Sequence, residues 1–220
     1  MRDVTCRGDR RFEFEPVATA LLAIDMQRDF LDPAGMCAVA GDDVAPMQAI
    51  VPAVVRLCDA ARRAGVQVIH TREGYAPDLG DVHPMKAERG SVGTPGPLGR
   101  FLIRGEAGHD FVDACKPAPG EPVIDKPGFS AFYRTDLEDR LRRAGITRLI
   151  LTGVTTQCCV QSTLRDAVDR GFYCLTVADA CAALEPALHD AVLTIIQGEN
   201  HLFGWIADTA DVLTALEGQD

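Results

Sequence analysis

A chain of 220 residues, 47% hydrophobic and 25% charged, carries enough apolar surface to close one sizeable core, and it reads as one main domain rather than two small ones. Its 32 acidic residues against 22 Lys and Arg give a net charge of -10, which repels nucleic acid and anionic membranes at long range and excludes both as default partners. No run reaches the roughly 20 apolar residues that a bilayer requires, and the charged opening stretch lacks the apolar core of a secretory signal, so the expected setting is cytoplasmic.

Residues 1–17 show no periodicity and read as an N-terminal arm ahead of a domain over 18–220. Ala18 to Asp25 is a short apolar run of the kind buried on both faces of a parallel sheet, followed by a turn-rich stretch from Asp32 to Asp43. Helical spacing of Val51, Val54, Val55, Cys58 and Ala61 predicts a helix from about Val44 to Ala64, with Gly65 at its stop. Val66 to His70 is the next strand, so a right-handed parallel crossover is expected. From Thr71 to about Glu121, Gly, Pro and charged residues break the pattern; the stretch reads as a lid or wall, with a short strand at Arg100 to Arg104.

Regularity then returns. Strands are expected at Val123 to Lys126, Arg148 to Gly153 and Phe172 to Ala178, and helices at Thr135 to Ala144, Gln157 to Arg170 and Pro186 to Ile196. Thr135 with Glu138 three residues on has the form of a capping box. The sum is an α/β fold, a doubly wound and mostly parallel sheet with helices on both faces, whose ligand crevice lies at the carboxyl ends of the strands. Eight cysteines fall largely inside these elements and read as reduced thiols. No Cys-x-x-Cys or His-x-x-x-His pair suggests zinc.

Three strand ends carry chemistry. Asp25 closes the first strand, as a turn cap or as a general base kept useful by burial. Lys126 precedes Pro127, which holds it extended, and Asp125 must point to the other side of the strand; the lysine is either solvated or paired with anions from neighbouring strands. Cys159 falls at the start of a helix, where free N–H groups and the dipole favour a thiolate and an oxyanion, although a buried structural thiol is the alternative. Jointly, the lysine lowers the thiol pKa, the carboxylate takes the proton and the helix start holds the oxyanion. His109, His189 and His201 show no catalytic spacing and read as surface groups.

Ala23-Ile24-Asp25-Met26-Gln27-Arg28-Asp29-Phe30, Ile124-Asp125-Lys126-Pro127 with Ala131-Phe132, and Gly153-Val154-Thr155 through Cys159-Val160 with Thr163 and Asp166-Ala167 resemble the isochorismatase-like cysteine hydrolases, over about Ala18 to Leu216. That family includes nicotinamidases, N-carbamoylsarcosine amidases, ureidoacrylate amidases and biuret hydrolases. The resemblance implies a triad of Asp25, Lys126 and Cys159, a cis peptide between Val154 and Thr155 that aims the Thr155 and Cys159 amides at the oxyanion, and Phe30 against the substrate. It implies no cofactor, and a homotetramer or dimer. Nicotinamidases of the family carry an Asp-x-His metal site after the second strand; here that place reads Arg72-Glu73-Gly74-Tyr75, so no metal is expected, although Asp81-Val82-His83 keeps the letters further on.

Thr71-Arg72-Glu73-Gly74 and Arg104-Gly105-Glu106 look most like ureide hydrolases of the biuret type. Arg72 and Arg104 offer donors to substrate carbonyls, or pair with acids such as Glu73 and Glu106. In those hydrolases a Gln-Gly-Gly near the end places its glutamine on the substrate. Here Gln197-Gly198-Glu199-Asn200-His201 stands there, so Gln197 is displaced or Glu199 replaces it. The leading expectation is a metal-independent hydrolase cleaving a C–N bond of a small, biuret-like ureide or carbamoyl amide through a thioester. The alternatives are an amidase for another small acid amide of the N-carbamoyl amino acid, ureidoacrylate or maleamate type, and a silent member that binds a metabolite or a protein.

Overall fold

A computed structural model describes residues 1–218. The first two strands, β1 (Arg2–Cys6) and β2 (Arg10–Phe14), form an antiparallel hairpin turned through Gly8 and Asp9, both at positive φ. Val4, Cys6, Phe12 and Phe14 point inward while Asp3, Thr5, Arg11 and Glu13 face solvent. The stretch expected as an aperiodic arm therefore has a period of two. Two inward residues per strand, split by a turn, are too few to register as a pattern.

Apart from short helical turns and a two-residue ladder in the connections, the elements that follow are β3 (Thr19–Ile24), α1 (Val51–Ala64), β4 (Gln67–Glu73), β5 (Val123–Lys126), α2 (Leu137–Arg143), β6 (Arg148–Val154), α3 (Gln161–Asp169), β7 (Tyr173–Ala182), α4 (Pro186–His201), β8 (Trp205–Ala207) and α5 (Thr209–Glu217). Six strands make one sheet in the order β8-β7-β6-β3-β4-β5, every neighbouring pair parallel. Side chains of β3 alternate between two cores. Leu21 and Ala23 join Val54, Leu57 and Ala61 of α1, Val212 and Leu216 of α5, and the hairpin's Phe12. Ala20, Leu22 and Ile24 join Leu141 of α2, Leu164 of α3 and Ile196 of α4. Each fully buried aliphatic side chain contributes roughly 1.5–3 kcal/mol, which explains why a strand apolar on both faces must sit mid-sheet.

Several boundaries move for identifiable reasons. The helix expected over 44–64 splits into Ala45–Ala49 and α1, because Pro52, which has no N–H to donate, fits only the first turn of a helix. Gly65 caps α1 in the left-handed conformation, as its position in the sequence implies. The capping box does not form. Thr135 Oγ1 donates to Ala131 O at 2.5 Å, Glu138 pairs with Arg142 and Arg170, and α2 starts at Leu137. The helix after β6 opens with a π turn, Thr156–Val160, before α3. Strand β7 runs on to Ala182, and β4 runs on to Glu73. At Gly153, φ is 109° and an added Cβ would lie 2.0 Å from Ile24 O, so only glycine lets β6 pass β3 there.

Residues 71–121 fold over the sheet's carboxyl edge as a wall stitched by polar groups. Asp29 Oδ2 accepts the Leu102 N–H at 2.9 Å, and burial lifts that carboxyl to about 6. Gln27 bonds the Glu73 backbone in both directions and donates to His109 O. Arg104 donates to Gly74 O and pairs with Asp81 at 2.6 Å, while Arg100 pairs with Glu106 at 2.7 Å. The strand expected at 100–104 shrinks to a two-residue ladder, Pro95–Gly96 with Gly99–Arg100, plus a bridge between Tyr75 and Ile103.

His109 is a buried group in this wall, not a surface one. Its ring lies where a Cβ on Gly74 would be, 2.2 Å away, and the residue is 2% exposed. Burial first, then Arg72 and Arg104, hold its pKa at about 4, against the pull of Asp125 and Asp110. The unfolded chain therefore binds this proton near 6.5 while the folded chain refuses it until about 4. Stability is expected to be full above pH 6.5 and to drop by about 3 kcal/mol from this group as pH falls toward 4. Urea midpoints across that window check it: His109→Gln should flatten the slope, and an unchanged slope would clear His109 of the effect. His189 is also only partly exposed, with Nδ1 2.9 Å from Thr156 Oγ1, and His201 is half-buried.

Candidate active site

Asp25 directly follows β3, in the left-handed region at φ 52°. Its N–H donates to Thr71 O at 3.1 Å, Oδ1 accepts from Thr71 Oγ1 at 2.6 Å, and Oδ2 lies 2.8 Å from Lys126 Nζ. Lys126 ends β5 with no exposed surface, and Nζ also donates to Gly128 O at 2.8 Å. Asp125 points the other way, as strand alternation requires, and takes Arg72 at 2.8 and 3.1 Å. Cys159 comes from the π turn after β6, and a cis peptide joins Val154 to Thr155 just before it. The three residues that close separate strand-like runs thus meet at one buried point.

A fourth member was not expected there. Glu73, at the end of the lengthened β4, is 4% exposed; its Oε2 accepts from Cys159 Sγ at 3.5 Å and lies 3.8 Å from Lys126 Nζ. Oε1 accepts from Tyr75 OH at 2.9 Å and from Lys86 Nζ. Lys86 in turn sits 3.9 Å above the Phe129 ring. The signal in the sequence was the continued alternation past His70: His70 and Arg72 on one face, Thr71 and Glu73 on the other.

Electrostatics follow from this packing. Burial pushes the Asp25 carboxyl up, Lys126 pulls it down, and the Glu73 charge adds to the rise, so it ends above the ordinary carboxylate range. Burial acts on Glu73 too, but Lys126, Lys86 and the Tyr75 hydroxyl outweigh it and keep that carboxyl ionised. Burial works against the Lys126 charge, and Asp25, Cys159 and Glu73 together overcome it. The Cys159 thiol is held high by the Cys158 sulfur, by burial and by both carboxylates, with Lys126 opposing. Lysine does favour the thiolate, as expected, but at rest the net result is a protonated thiol.

Glu73 and Cys159 line the floor of a cavity of about 170 Å3, with the fully buried Asp25 and Lys126 packed behind them, and its walls are Phe30, Phe101, Leu102, Phe129, Val92 and Thr155, with Cys158 beside Cys159. That volume is below the ~300–1,000 Å3 typical of drug-sized ligands and suits a small molecule. Phe30 and Thr155 lie on its wall, and Val154 is buried in β6 directly before the turn. The other expected contacts do not reach it. Arg72 faces away because it alternates with Glu73, and it binds Asp125 with its guanidinium over Phe111. It takes neither Glu73 nor a substrate position. Gln197 and Glu199 sit where α4 breaks, with Glu199, Asn200 and His201 all at positive φ and Asn200 accepting from Arg10 of the hairpin. That segment belongs to the hairpin side of the molecule and lines no part of this cavity.

The donor set for a metal does not assemble at the displaced letters: Asp81 takes Arg104 and the Ala76 N–H, and His83 Nδ1 accepts the Met85 N–H as a helix cap. Ligand atoms of Asp25, Glu73 and Cys159 lie within 4.8 Å of one another, but Lys126 already supplies the positive charge between the two carboxylates.

A doubly wound sheet with a titratable, thiol-bearing cavity at its carboxyl edge is the architecture of the α/β enzymes that work at strand ends. Residues 19–211 match the Isochorismatase domain, and the chain belongs to the isochorismatase family. It is a hydrolase of that family. Its curated relatives include ureidoacrylate amidohydrolase RutB of Methylorubrum extorquens, 34% identical over 216 residues that cover 94% of this chain and 86% of that protein. RutB of Serratia proteamaculans is 32% identical over 203 residues, covering 89% and 81%. Among solved structures, a cysteine hydrolase from Pseudomonas syringae pv. phaseolicola superposes with a TM-score of 0.84 at 28% identity, over 94% of this chain and 96% of that one. No helix among the described residues is long and apolar enough to cross a membrane.

Proposed function

We propose that this chain is a metal-independent cysteine hydrolase that cleaves a C–N bond of a small ureide or carbamoyl amide, with Cys159 as nucleophile. The observation that carries the reading is the convergence of Cys159, Asp25 and Lys126 on one buried floor, with the Asp25, Glu73 and Cys159 polar atoms inside a 4.8 Å cluster. Asp25 accepts the thiol proton as sulfur adds to the carbonyl carbon, and the carbonyl electron pair moves to oxygen, which the amides of Thr155 and Cys159 receive. Collapse expels the nitrogen, protonated by Asp25, as ammonia or an amine and leaves an acyl group on sulfur. Water attacks that thioester, Asp25 takes its proton, and the acid leaves as the thiol is restored. A carboxyl whose pKa is lifted by burial serves both steps better than a strongly acidic one. Lys126 keeps the carboxylate in place throughout, and Glu73 holds the sulfur against it.

Two chemistries remain within this mechanism. Biuret-like ureides are neutral, whereas the amides of the ureidoacrylate, N-carbamoyl amino acid and maleamate types carry an acid; the names of the curated relatives favour the second group. Ammonia release from a panel containing both groups tests the reading. At least one member should turn over without added metal and survive treatment with a chelator; loss of activity on chelation would overturn metal independence. The same proposal places the enzyme in the cytoplasm as a dimer or tetramer, and a monomer by light scattering at micromolar concentration would count against the assembly.

A further inference from the structure

The charges on the cavity wall do not cancel. Behind the floor Asp25 is matched by Lys126, and on the lining itself Glu73 is matched by Lys86. The remaining charged residue of the wall is Arg89, exposed at the mouth and without an ion pair or hydrogen bond to protein among the described residues. It shares the short helix Pro84–Arg89 with Lys86, three positions on and so on the same side. The helix thus delivers two cations to one cavity: the first is consumed by Glu73, the second is free. In a chain of net charge -10 a small anion is repelled at long range, so its capture needs a local cation of this kind.

We propose that Arg89 is a specificity-determining residue that binds a carboxylate on the substrate, so that the molecule taken is a short anionic ureide or amide with its scissile carbonyl at Cys159 and its acid group at the mouth. The proposal rests on the reading of Cys159 as nucleophile and goes beyond it by fixing the charge of the substrate. Three phenylalanines, Phe30, Phe101 and Phe129, line the same cavity, and with Glu73 and Lys86 paired to each other the lining offers a substrate no other unpaired charge. Arg89 offers a planar fork of donors suited to a carboxylate, and its exposure lets bulk salt screen the contact over about 8 Å at physiological ionic strength.

The test uses 3-ureidoacrylate and its methyl ester, which share a carbamoyl end and differ in charge. The full-length enzyme should prefer the acid in kcat/KM, through KM, and added salt should erode the preference. Arg89→Gln should narrow the acid-to-ester ratio by roughly tenfold, a single charge-assisted contact's worth, and Arg89→Lys should restore part of it. Equal treatment of acid and ester by the unaltered enzyme, or a ratio untouched by Arg89→Gln, overturns the proposal. Calorimetry on Cys159→Ser protein decides the matter where neither probe turns over: tighter binding of the acid than of the ester, abolished by adding Arg89→Gln, supports the anchor, and equal or absent binding rejects it. Turnover retained by Cys159→Ser would strike down the nucleophile alone, so the two failures are separable.

Discussion

Cys159→Ser is expected to lower kcat on the best substrate by on the order of 10^3-fold or more while leaving the thermal midpoint nearly unchanged. Serine replaces one heavy atom in a buried site with satisfied neighbours, so the fold has little reason to respond. The hydroxyl is a much weaker nucleophile than sulfur, and Asp25 and Lys126 were placed around a thiol. Intact-protein mass spectrometry after soaking with substrate should catch an ester adduct on the serine variant if attack still occurs but release is slow. Cys158→Ser is the needed comparison, since its sulfur lies in the same turn and on the same cavity wall. A loss in Cys158→Ser equal to that in Cys159→Ser would remove the assignment of the nucleophile.

Lys126→Met should cost about 3–5 kcal/mol of folding stability, because it leaves the Asp25 and Glu73 carboxylates facing each other with their shared ammonium gone. The methionine fills most of the lysine's volume, so the loss reports charge rather than a cavity. A pH signature separates the two causes. Glu73 keeps Lys86, but Asp25 has no cation left against it, so its folded-state pKa rises further above that of the unfolded chain. The folded variant then binds more protons at Asp25 than the unfolded one, and its stability is fullest below about pH 4 and declines as pH rises through the lifted value. Denaturant melts at pH 5 and pH 8 should show the deficit against the unaltered protein growing toward pH 8. An equal deficit at both values, or one below about 1 kcal/mol, would mean that the Asp25 carboxyl does not depend on this lysine.

Asp25, Lys126 and Cys159 were legible because each ends, or directly follows, a run of apolar residues long enough to be a buried strand, and parallel strands bring such ends together. Glu73 was not, for a reason of the same kind. His70-Thr71-Arg72-Glu73 alternates polar residues on both faces, which reads as the end of a strand, yet Thr71 and Glu73 are satisfied by Asp25, Tyr75 and the two lysines rather than by water. Burial of a polar pair depends on partners supplied from elsewhere in the chain, and no local window contains them. Arg72 was misjudged for the complementary reason, since its partner Asp125 lies on the adjacent strand β5. The likeness of Gln197 and Glu199 to a substrate-binding turn rested on letters, whereas the backbone at Gly198 turns toward the hairpin.

Six of the eight thiols in this chain, Cys6, Cys37, Cys58, Cys115, Cys174 and Cys181, are pushed upward chiefly by burial, several of them to about 11 or 12, and Cys159 is held high as well. Cys158 moves the other way, because the Cys159 sulfur beside it favours its thiolate, and it stands partly open on the cavity wall. Cys158 and Cys159 both line the cavity, so an alkylating mark on either sulfur fills space that a substrate would occupy. Protection of that pair from a thiol reagent would then report that a candidate amide has entered the chamber, before any turnover is measured.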